Sequence, residues 1–580
     1  MTQLKNLKAA ISLNDVATIL GFTPKALAYI LYKIPSAEKY AHFDIPKRSG
    51  GIRKISAPVA RLKKLQTRLA LTLQQCIIEI NTSLKVKNVL SHAFTPKFSI
   101  ITNAVNHRNK RFVFNLDLEN FFGTINFGRV RGFFIENRNF QLHPDVATVL
   151  AQIACHENML PQGSPSSPVI SNLIGHILDI RLAELAHKTG CTYSRYADDL
   201  TFSTNKANFP SRVAQLINQT THEWNTGKEL ERLILKAGFT INSSKTRMQY
   251  ESNRQEVTGL IVNKKINTRT EYRHLVRAMA HNLYKTGQFY KTETVRDATG
   301  ALVHTKVDGT VSQLNGMLSF VDSVGVYNLE KNEPKEFSVT KHKDAKPEAK
   351  LSAIETVYRR VLFFKNFYSP EYPVILCEGK TDSVYIKAAL RKLVDDFPNL
   401  AVKKNGKVES KIRFFNYTKT ADRIMNLNGG TGQINKFIVD YAPNCKKISA
   451  KGQLMPVIVL IDNDEGAKGI YSTVSKVTKK EVKNTDDFFF VAENLYIVAT
   501  PLLEGKQSTI EDFFEPYVRD TKLHGKSFSG KNTFDPHTQY GKHYFAEYVV
   551  KKDESKISFE GFRPILARLD AALSDYKKKT

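Results

Sequence analysis

The sequence predicts a multidomain protein in which an α+β domain precedes an α/β domain with a parallel sheet. The first domain is predicted by strands in RFVFNLDL (111–118) and TYSRYADDLTFST (192–204), with a helix at about 165–188 between them. The second is predicted by YPVILCEG (372–379) and MPVIVLIDND (455–464), two almost continuously apolar runs that end in acids. Such runs are typical of parallel strands that are covered on both faces.

Length and composition limit the class of protein. A chain of 580 residues, 42% of them hydrophobic, is long enough for about two to four domains with sizeable cores. Its 85 Lys and Arg residues outnumber its 56 Asp and Glu residues, which gives a net charge of +29, and the excess occurs in both halves of the chain. A surplus of this size predicts a polyanionic partner such as nucleic acid, with an acidic membrane surface as the alternative.

The sequence has no pattern typical of membrane insertion or of a disulfide framework. No apolar run approaches about 18 residues, and the N-terminal segment lacks a signal-peptide core. The five cysteines are far apart, without a CxxC pair or a Cys/His cluster at zinc spacing. We therefore expect a cytoplasmic protein without a membrane partner, whose thiols are reduced and bind no metal.

The other elements follow from hydrophobic periodicity and turn residues. Apolar residues that recur every three to four positions predict helices, and a Gly-Gly pair between basic residues predicts a hairpin turn. In chain order, the predicted elements are two short helices within 12–33, a basic hairpin at 45–58, a helix at about 59–80, a mostly helical stretch at 226–330 with a short strand near 256–262, and a linker-like segment at 331–350.

Three carboxylates lie at strand ends of the first predicted domain. Asp117 ends one strand, and Asp198 and Asp199 are predicted at the tip of a hairpin. A charge directly after a buried strand must reach solvent or be neutralised by a cation. Carboxylates from two adjoining strands suit a pair of Mg²⁺ ions, as two-metal phosphoryl transfer requires. Taken alone, an Asp-Asp pair would indicate only a turn.

The segments around these acids resemble three motifs of reverse transcriptases. NLDLENFF is similar to their first catalytic motif, LPQGSPSSPVISNL to the motif that positions template and nucleotide, and RYADDL to their second acidic motif. The resemblance implies a right-hand polymerase fold with fingers, palm and a helical thumb. It also implies RNA-directed DNA synthesis from dNTPs, with Asp117, Asp198 and Asp199 as ligands of a two-metal Mg²⁺ site.

The same resemblance implies roles for residues around the metal site. Phe122 matches the aromatic gate that excludes a ribose 2′-OH, and Gln162 matches the residue that contacts the incoming nucleotide. Lys245 matches a lysine near the departing pyrophosphate, where a cation stabilises charge or donates a proton. The remaining matches are Arg53 as the arginine that grips the triphosphate, Lys47 and Lys54 as its helpers, and Tyr196 beside the primer end.

Two shorter patches are NAVNH, with Asn103, Ala104 and His107, and VTGL, with Val257, Thr258 and Gly259. Taken singly, NAVNH is equally consistent with a helix cap and VTGL with a strand bulge. Together they resemble retron reverse transcriptases and are interpreted as RNA-recognition motifs. Retron enzymes copy their own structured noncoding RNA, starting from an internal guanosine 2′-OH. The resemblance therefore implies two partners, the cognate noncoding RNA and its branched single-stranded DNA product.

Recognition of a folded RNA by its shape requires a basic surface, which we expect on the predicted thumb. Contacts from such a surface to phosphates make binding steeply dependent on salt. The alternative is a basic face that is merely solvated. The candidate residues are Lys264, Lys265, Arg269, Arg273 and Arg277.

A second group of acids follows the strands of the α/β domain. Glu378 and Asp382 are one helical turn apart after the first strand, and Asp462 and Asp464 follow the second. Because residues two apart in an extended segment point the same way, both aspartates are predicted to face one ion. EGxxD followed by DxD resembles the Toprim domain of topoisomerases, primases and overcoming-lysogenization-defect-like nucleases. The alternative is two unrelated acidic strand ends.

The Toprim resemblance implies Mg²⁺ or Mn²⁺ on these four acids, with Glu378 as a ligand or general base. Glu511 in STIEDFF resembles a later acidic ligand of the nuclease branch, and Lys542 in YGKHYFAEYV resembles its phosphate-facing lysine. The glycine-rich segment 426–438 either approaches phosphate through its backbone or is a plain helix entry.

Together the motifs predict a retron reverse transcriptase fused to a Toprim nuclease effector for anti-phage defence. A different class of function stays open for the second half, that of a nucleic-acid-binding or assembly module without catalysis. A homo-oligomeric ribonucleoprotein is one form that the assembly is expected to take. The predicted domains are fingers and palm at 1–240, a thumb at 241–330, a linker at 331–368, and a Toprim domain with a C-terminal extension at 369–580.

Overall fold

The protein is described by a computed structural model. It covers residues 2–47, 51–86, 88–296, 302–332, 351–452, 455–531 and 533–579, which form two compact units. Residues of the range predicted as a thumb occur in both units. The N-terminal unit comprises the described residues up to Tyr272 with those of Glu293–Thr305 and of 323–332, and the C-terminal unit comprises Arg273–Thr292, Lys306–Asp322 and the described residues from 351 onward.

The first part of the N-terminal unit is mainly helical, and the predicted pair of short helices within 12–33 is confirmed. The second helix begins with a capping box, in which Ser12 and Asp15 each accept a backbone N–H of the other. The third continues as a π-helical turn over Tyr29–Lys33. The helices are α1 (Gln3–Ala9), α2 (Leu13–Leu20), α3 (Pro24–Ala28), α4 (Ala60–Ser83), α5 (Ile100–Val105), α6 (Phe127–Glu136), α7 (Pro144–Ala154), α8 (Ser167–Thr189) and α9 (Lys228–Lys236).

The basic hairpin predicted at 45–58 is formed by two antiparallel strands, β1 (Tyr40–Pro46) and β2 (Ile52–Pro58). Its Gly50 lies outside the described residues, whereas Gly51 has the left-handed φ of +81° that the turn requires. We call these two strands the finger hairpin.

A four-stranded antiparallel sheet lies at the centre of the N-terminal unit, in the order β4-β5-β3-β8. Strands predicted at 111–118 and 192–204 are thereby confirmed. Strand β3 is buried on both faces, with Val113 on one and Phe114 and Leu116 on the other, and α8 packs against the sheet through apolar residues such as Leu178 and Leu182. The strands are β3 (Phe112–Asp117), β4 (Thr192–Tyr196), β5 (Asp199–Thr204), β6 (Ala214–Asn218), β7 (Glu223–Thr226), β8 (Arg247–Tyr250), β9 (Glu256–Val257) and β10 (Leu260–Ile261).

The range from 270 to 332 is not wholly helical. Helices α10 (Thr270–Thr286) and α11 (Val311–Asn332) enclose two strands, β11 (Tyr290–Arg296) and β12 (Leu302–Asp308). The expectation that helices fill this range is therefore wrong for its middle part. Thr and Val alternate with charged residues in both strands, and alternation with a period of two favours strands over helices.

The C-terminal unit is built on a five-stranded mixed sheet in the order β16-β13-β17-β19-β18. Its first four strands are parallel, whereas β18 is antiparallel to β19 because only a tight turn joins these two. The prediction of a purely parallel sheet is corrected at this edge. The strands are β13 (Val374–Cys377), β14 (Ala401–Lys404), β15 (Lys407–Ser410), β16 (Arg413–Phe414), β17 (Val457–Ile461), β18 (Phe489–Ala492), β19 (Leu495–Ala499), β20 (Ser527–Phe528) and β21 (Gln539–Tyr540).

Helices complete the C-terminal unit, and one of them lies inside the predicted linker. This helix begins with a capping box of Ser352 and Glu355, and Glu355 also pairs with Arg423. Residues 333–350 of the predicted linker lie outside the described residues, and the predicted domain limits stay a prediction. The helices are α12 (Ala353–Phe363), α13 (Asp382–Lys392), α14 (Lys419–Met425), α15 (Thr431–Cys445), α16 (Ala467–Thr478), α17 (Pro516–Arg519), α18 (Lys542–Tyr544) and α19 (Arg563–Lys579).

All five cysteines are free thiols. Within the ranges that the structure describes, no helix is both long enough and apolar enough to cross a bilayer.

Candidate functional site

The four-stranded sheet brings the three acids of the first group together. Asp117 ends β3 directly opposite Asp199, the first residue of β5. The turn between β4 and β5 consists of Ala197 and Asp198, since Tyr196 pairs with Asp199 across it. The expected Asp-Asp turn is thus shifted by one residue. Ala197 has φ of +57°, a left-handed conformation that is unusual for a residue with a Cβ atom.

Asp117 is held by two donors from the segment before β8. The Lys245 ammonium donates to Asp117 Oδ2 at 2.8 Å, and the Asn242 side-chain amide donates to Asp117 Oδ1 at 3.2 Å. Backbone hydrogen bonds fix the same neighbourhood, because Asn242 N donates to Asp117 O and Leu118 N donates to Asp198 O. The predicted Lys245 is therefore beside the acids, and Asn242 is an additional residue of the site.

Burial and neighbouring charges raise the pKa of two of these acids, Asp198 and Asp199. Burial, followed by the charge of Asp117, raises the pKa of Asp198, and partial desolvation with the two neighbouring carboxylates raises that of Asp199 to about 7. Burial opposes the charged form of Lys245, but its hydrogen bond to Asp117 and the carboxylates raise its pKa overall. Two carboxylates with raised pKa values, next to the carboxylate of Asp117, form a site that a cation would stabilise.

The finger hairpin approaches this site through β2. The positive charges of Lys245 and Arg53 lower the pKa of Asp198 and partly offset its rise, which places Arg53 within electrostatic reach of Asp198. Ser56 N donates to Gln162 O at 2.8 Å, so the strand that carries Arg53 also binds the segment that carries Gln162. Gly163 is required there, because a Cβ atom would lie 2.8 Å from Ser56 O and its φ is +121°.

The remaining predicted nucleotide-binding residues lie around the same region. Phe122 is half-buried, with its ring 5.4 Å from Phe121 and 6.4 Å from Phe94. Tyr196 is half-buried and pairs with Asp199 across the turn. Lys47 and Lys54 are exposed on the finger hairpin. Their assigned roles stay predictions.

A fully buried arginine supports the turn that carries Asp198. Arg195 forms two hydrogen bonds of 2.7 Å with the carboxylate of Asp179, which is equally buried. Its remaining Nη1 donates to Ala197 O at 3.0 Å, and Tyr193 donates to Asp179 at 2.8 Å. The guanidinium thus fixes the carbonyl of the left-handed residue next to Asp198. Composition alone did not identify Arg195, although it is part of RYADDL.

Arg195→Met is expected to destabilise the N-terminal unit by about 3–5 kcal/mol, because it leaves the charge of Asp179 buried and unpaired. The double variant Arg195→Met/Asp179→Leu removes both charges and is expected to recover most of that loss. Urea unfolding followed by the fluorescence of Trp224, the single tryptophan, measures both effects. Equal stability of the wild type and Arg195→Met would contradict the assignment.

The first RNA-recognition patch is buried. Asn103, Ala104 and His107 are fully inaccessible, and burial lowers the pKa of His107 to about 3. Ser194 donates to Asn103 Oδ1, so His107 donates from Nε2 to Ser194 and accepts at Nδ1 from Ser203. These side chains fasten α5 to β4 and β5 and offer RNA no surface. Their role in RNA recognition stays a prediction, which the structure limits to positioning.

The second patch is a tight turn beside the first. Thr258 and Gly259, between the paired residues Val257 and Leu260, have φ of +47° and +82°. Two positive φ values are typical of a type I′ hairpin, but a β-branched residue there is strained. Thr258 Oγ1 donates to the carbonyl of Ile100 at the start of α5. The two patches therefore adjoin, as their shared role predicts.

The basic residues predicted for the thumb differ in their surroundings. Arg269 pairs with Glu256, which engages its guanidinium within the protein. Lys264 and Lys265 are exposed. Arg273 and Arg277 lie further along α10 and belong to the C-terminal unit.

The second group of acids lies at the carboxyl ends of β13 and β17. Glu378 accepts from Thr431 Oγ1 at 3.0 Å and from Asp462 N at 3.2 Å. The glycine-rich segment is a helix entry, since Thr431 opens α15, and Gly430 N donates to Glu378 O. Its first turn thereby contacts the acidic site. Thr431 was not identified from the sequence.

Asp382 and Glu511 are the buried acids of this group, and Asp462, which is half-buried, interacts with both. Asp382 accepts from Gly379 N at 2.7 Å, and Asp462 accepts from Ile510 N at 2.8 Å. Glu511 is 2% exposed and accepts from Lys542 Nζ at 3.0 Å. Glu511 and Lys542, which the Toprim resemblance also implies, are thus close enough for their charges to act on Asp382 and Asp462.

The two aspartates of DND have different surroundings. The charges of Asp382 and Glu511 raise the pKa of Asp462. Asp464 instead accepts a hydrogen bond from Gly466 N, and its charge raises the pKa of Glu378. Asn463 points into the interior, where its amide donates to Thr500 O. The expectation that both aspartates face one ion stays a prediction.

The raised pKa values of these acids and one buried oxygen without a hydrogen-bond donor are consistent with a cation-binding site. Burial and the neighbouring acids raise the pKa of Asp382 to about 6 and that of Asp462 to about 8, and burial raises the pKa of Glu378 and Glu511. Glu511 Oε1 is buried without a hydrogen-bond donor. In the described part of the chain, no three potential ligands are already close enough to form a finished metal site.

The raised carboxylate pKa values predict how stability depends on pH. In the metal-free folded protein, Asp382 keeps its proton up to about pH 6 and Asp462 up to about pH 8, whereas in the unfolded chain both lose it near pH 4. Stability therefore falls as the pH rises from about 4 to about 8. The melting temperature in EDTA is expected to drop between pH 6 and pH 8.5, by roughly 2–4 °C for each kcal/mol lost. Asp462→Asn should flatten this dependence, and an unchanged slope would contradict the charge assignment.

The amino-acid sequence is similar to those of known reverse transcriptases. The family model described as reverse transcriptase (RNA-dependent DNA polymerase) matches residues 45–275. The retron Mx65 reverse transcriptase of Myxococcus xanthus is 35% identical over 285 residues, which cover 46% of this chain and 62% of the relative. The retron Mx162 reverse transcriptase of the same organism is 31% identical, with 43% and 53% covered. The chain thus spans less than two thirds of either relative.

Two further proteins extend the comparison. The retron Ec86 reverse transcriptase of Escherichia coli is 29% identical over 299 residues, which cover 51% of this chain and 85% of the relative. A solved apo telomerase from Candida tropicalis aligns at 13% identity with a TM-score of 0.28, over 43% of this chain and 61% of that chain. That TM-score is too low to establish a common overall fold.

Proposed function

We propose that the reverse transcriptase domain at residues 45–275, related to those of retron enzymes, makes this chain an RNA-directed DNA polymerase. One observation carries the proposal: Asp117 and Asp199 face each other across adjacent strands, with Asp198 in the turn beside them. Mg²⁺ ions bound to these carboxylates would activate a primer hydroxyl and bind the triphosphate of a dNTP.

The protein's own residues perform the remaining steps. Arg53 binds the triphosphate in this proposal, which the hydrogen bond from Ser56 N of the same strand to Gln162 O supports by linking the two predicted nucleotide contacts. Lys245 holds Asp117 and carries a proton, so it is able to donate to the departing pyrophosphate. The positive φ of Ala197, fixed by Arg195, keeps Asp198 at the tip of the turn.

We infer that the template is a cognate retron noncoding RNA, copied from an internal guanosine 2′-OH into branched multicopy single-stranded DNA. The patches at Asn103–His107 and Val257–Gly259 support this inference because they adjoin, the first bonded to β4 and the second to the start of α5. Isolation and sequencing of the nucleic acid that copurifies with the chain tests it. A single RNA joined to DNA by a 2′–5′ branch is expected, and random cellular RNA would contradict it.

Phe122→Ala is expected to admit ribonucleotides. The Phe122 ring is supported by Phe121 and Phe94, so truncation opens the space that a ribose 2′-OH would occupy. Primer extension with each nucleotide type should show the preference for dNTPs falling by about 10–100-fold, the range of one lost steric contact. Phe127→Ala, which truncates a partly buried phenylalanine packed against the core, is the matched control. Unchanged sugar discrimination in Phe122→Ala would remove the gate.

We propose further that the C-terminal unit is a Mg²⁺- or Mn²⁺-dependent nuclease of the Toprim type that acts in anti-phage defence. Asp382, Asp462 and Glu511, with the Lys542 ammonium beside them, are the observation that supports it. Glu378 is a ligand or general base, and Lys542 is placed to bind a phosphate. The resting protein is expected to be restrained by its RNA and DNA product.

The second candidate is a non-catalytic nucleic-acid-binding or assembly module. The different hydrogen bonds of Asp462 and Asp464 favour it, because backbone N–H groups of Ile510 and Gly466 already satisfy one oxygen of each carboxylate. A nuclease assay of the purified chain, freed of its own nucleic acid and supplied with Mg²⁺ or Mn²⁺, separates the two. Cleavage supports the effector, and binding without cleavage supports the module.

A further inference from the structure

Two exposed tyrosines lie beside the second acidic site. Lys542, which reaches Glu511 at 3.0 Å, opens α18, and this helix continues as a π-helical turn over Phe545–Val550. Tyr544 and Tyr548 project from the outer face of this segment. Their ring centroids are 5.5 Å apart, the ring planes are inclined by 25°, and the residues are 55% and 54% exposed.

The segment that carries these rings is firmly anchored. Phe545, Val549 and Val550 on its inner face are buried, and the Phe545 ring stacks on Phe528 at 4.3 Å. The outer rings therefore stand on a fixed support rather than on a loop. A pair of neighbouring aromatic rings exposed on a rigid element is a candidate interaction surface, and π-helical turns occur frequently at functional sites.

The charges around the tyrosines favour an anionic partner. Lys542 and His543 precede them, and Lys551 and Lys552 follow. The one acid of the segment, Glu547, is paired with Lys551. Aromatic rings between basic residues bind single-stranded nucleic acid, because bases stack on the rings while cations contact the phosphates.

We propose that Tyr544 and Tyr548 form a stacking platform for the bases of a single-stranded nucleic acid, whose backbone is led by Lys542 toward the acidic site. The inference rests on the proposed nuclease function and deepens it, since it names single strands as the substrate class. A duplex is excluded from the platform because its bases are already stacked on one another. The flat faces of the rings accept any base, so the platform selects strandedness and not sequence.

Photocrosslinking locates the contact in the full chain. A single-stranded oligonucleotide with 5-iodouracil, which reacts with stacked aromatic rings, is irradiated with the Asp462→Asn variant so that it stays intact. Mass spectrometry is expected to find adducts on Tyr544 or Tyr548. Tyr372, which is 53% exposed, serves as the internal control and should stay unmodified. Adducts in the C-terminal unit that avoid both tyrosines would overturn the proposal.

Cleavage kinetics test the consequence. The double variant Tyr544→Ala/Tyr548→Ala is expected to raise KM for single-stranded substrate by about tenfold or more, with kcat unchanged. Tyr544→Phe/Tyr548→Phe retains the rings and should keep KM within about twofold. Tyr372→Ala is the matched control for loss of an exposed tyrosine. An unchanged KM in the double alanine variant would overturn the platform.

The two proposals fail in different ways. If the wild type cleaves nothing but crosslinks map to Tyr544 or Tyr548, the nuclease proposal fails and the platform stands. If the wild type cleaves single strands and the double alanine variant does so with the same KM, the nuclease stands and the platform fails.

Discussion

Asp198→Asn is expected to abolish DNA synthesis, by about 10³-fold or more. The substitution removes an anionic ligand at the tip of the β4–β5 turn, and several kcal/mol of charge stabilisation depends on such a ligand. The fold should be kept, because Leu118 N bonds the backbone of residue 198 and not its side chain. Primer extension on an RNA template with dNTPs measures the loss.

The same variant gives an internal check on its own folding. Because burial and Asp117 raise the pKa of Asp198, removing its charge should leave the metal-free protein as stable as the wild type or more so. Asp145→Asn, which changes an exposed aspartate in the first turn of α7, is the control and should synthesise DNA normally. Extension by Asp198→Asn at the wild-type rate would refute the metal-site assignment.

Asp462→Asn is expected to abolish nuclease activity and the cellular toxicity that depends on it, while DNA synthesis continues. Burial and the nearby charges of Asp382 and Glu511 raise the pKa of Asp462 to about 8, so its charged form gains stability from a bound cation. A loss of about 10³-fold in cleavage is expected for one missing ligand. Cleavage of labelled oligonucleotides and growth after induction measure the two effects.

Asp520→Asn, at an exposed position after α17, is the control for this variant and should retain cleavage and toxicity. DNA synthesis by Asp462→Asn at the wild-type rate shows that the N-terminal unit is intact. Toxicity that persists in Asp462→Asn would favour the non-catalytic module, since binding does not require that ligand.

The parts of the fold that follow local rules were predictable from the sequence. The alternation in RFVFNLDL predicted β3, and the apolar run VIVLI predicted the buried strand β17. The site residues with a fixed position relative to a strand end, such as Asp117 and Glu378, followed from the same elements. The neighbours of each residue within its own sheet were predicted as well, because strand ends of one sheet meet at one edge.

What the sequence could not predict depends on contacts between distant segments. The burial of Asn103 and His107 requires Ser194 and Ser203, which are about ninety residues away along the chain. Polar residues in a short motif read as surface residues until their partners are known. The strands β11 and β12 were missed for a different reason, because the helical periodicity on both sides of them predicted helices throughout this range.

The second acidic site is assembled from segments that are far apart in the chain, so it cannot form until the last of them has been synthesised. Glu378 and Asp382 leave the ribosome well before Glu511, and Lys542 follows later still. Because domains fold in the order of synthesis, the N-terminal unit's sheet is available before the last acid of the second site has been translated. A nascent chain therefore carries all the acids of the first site before it carries all the acids of the second.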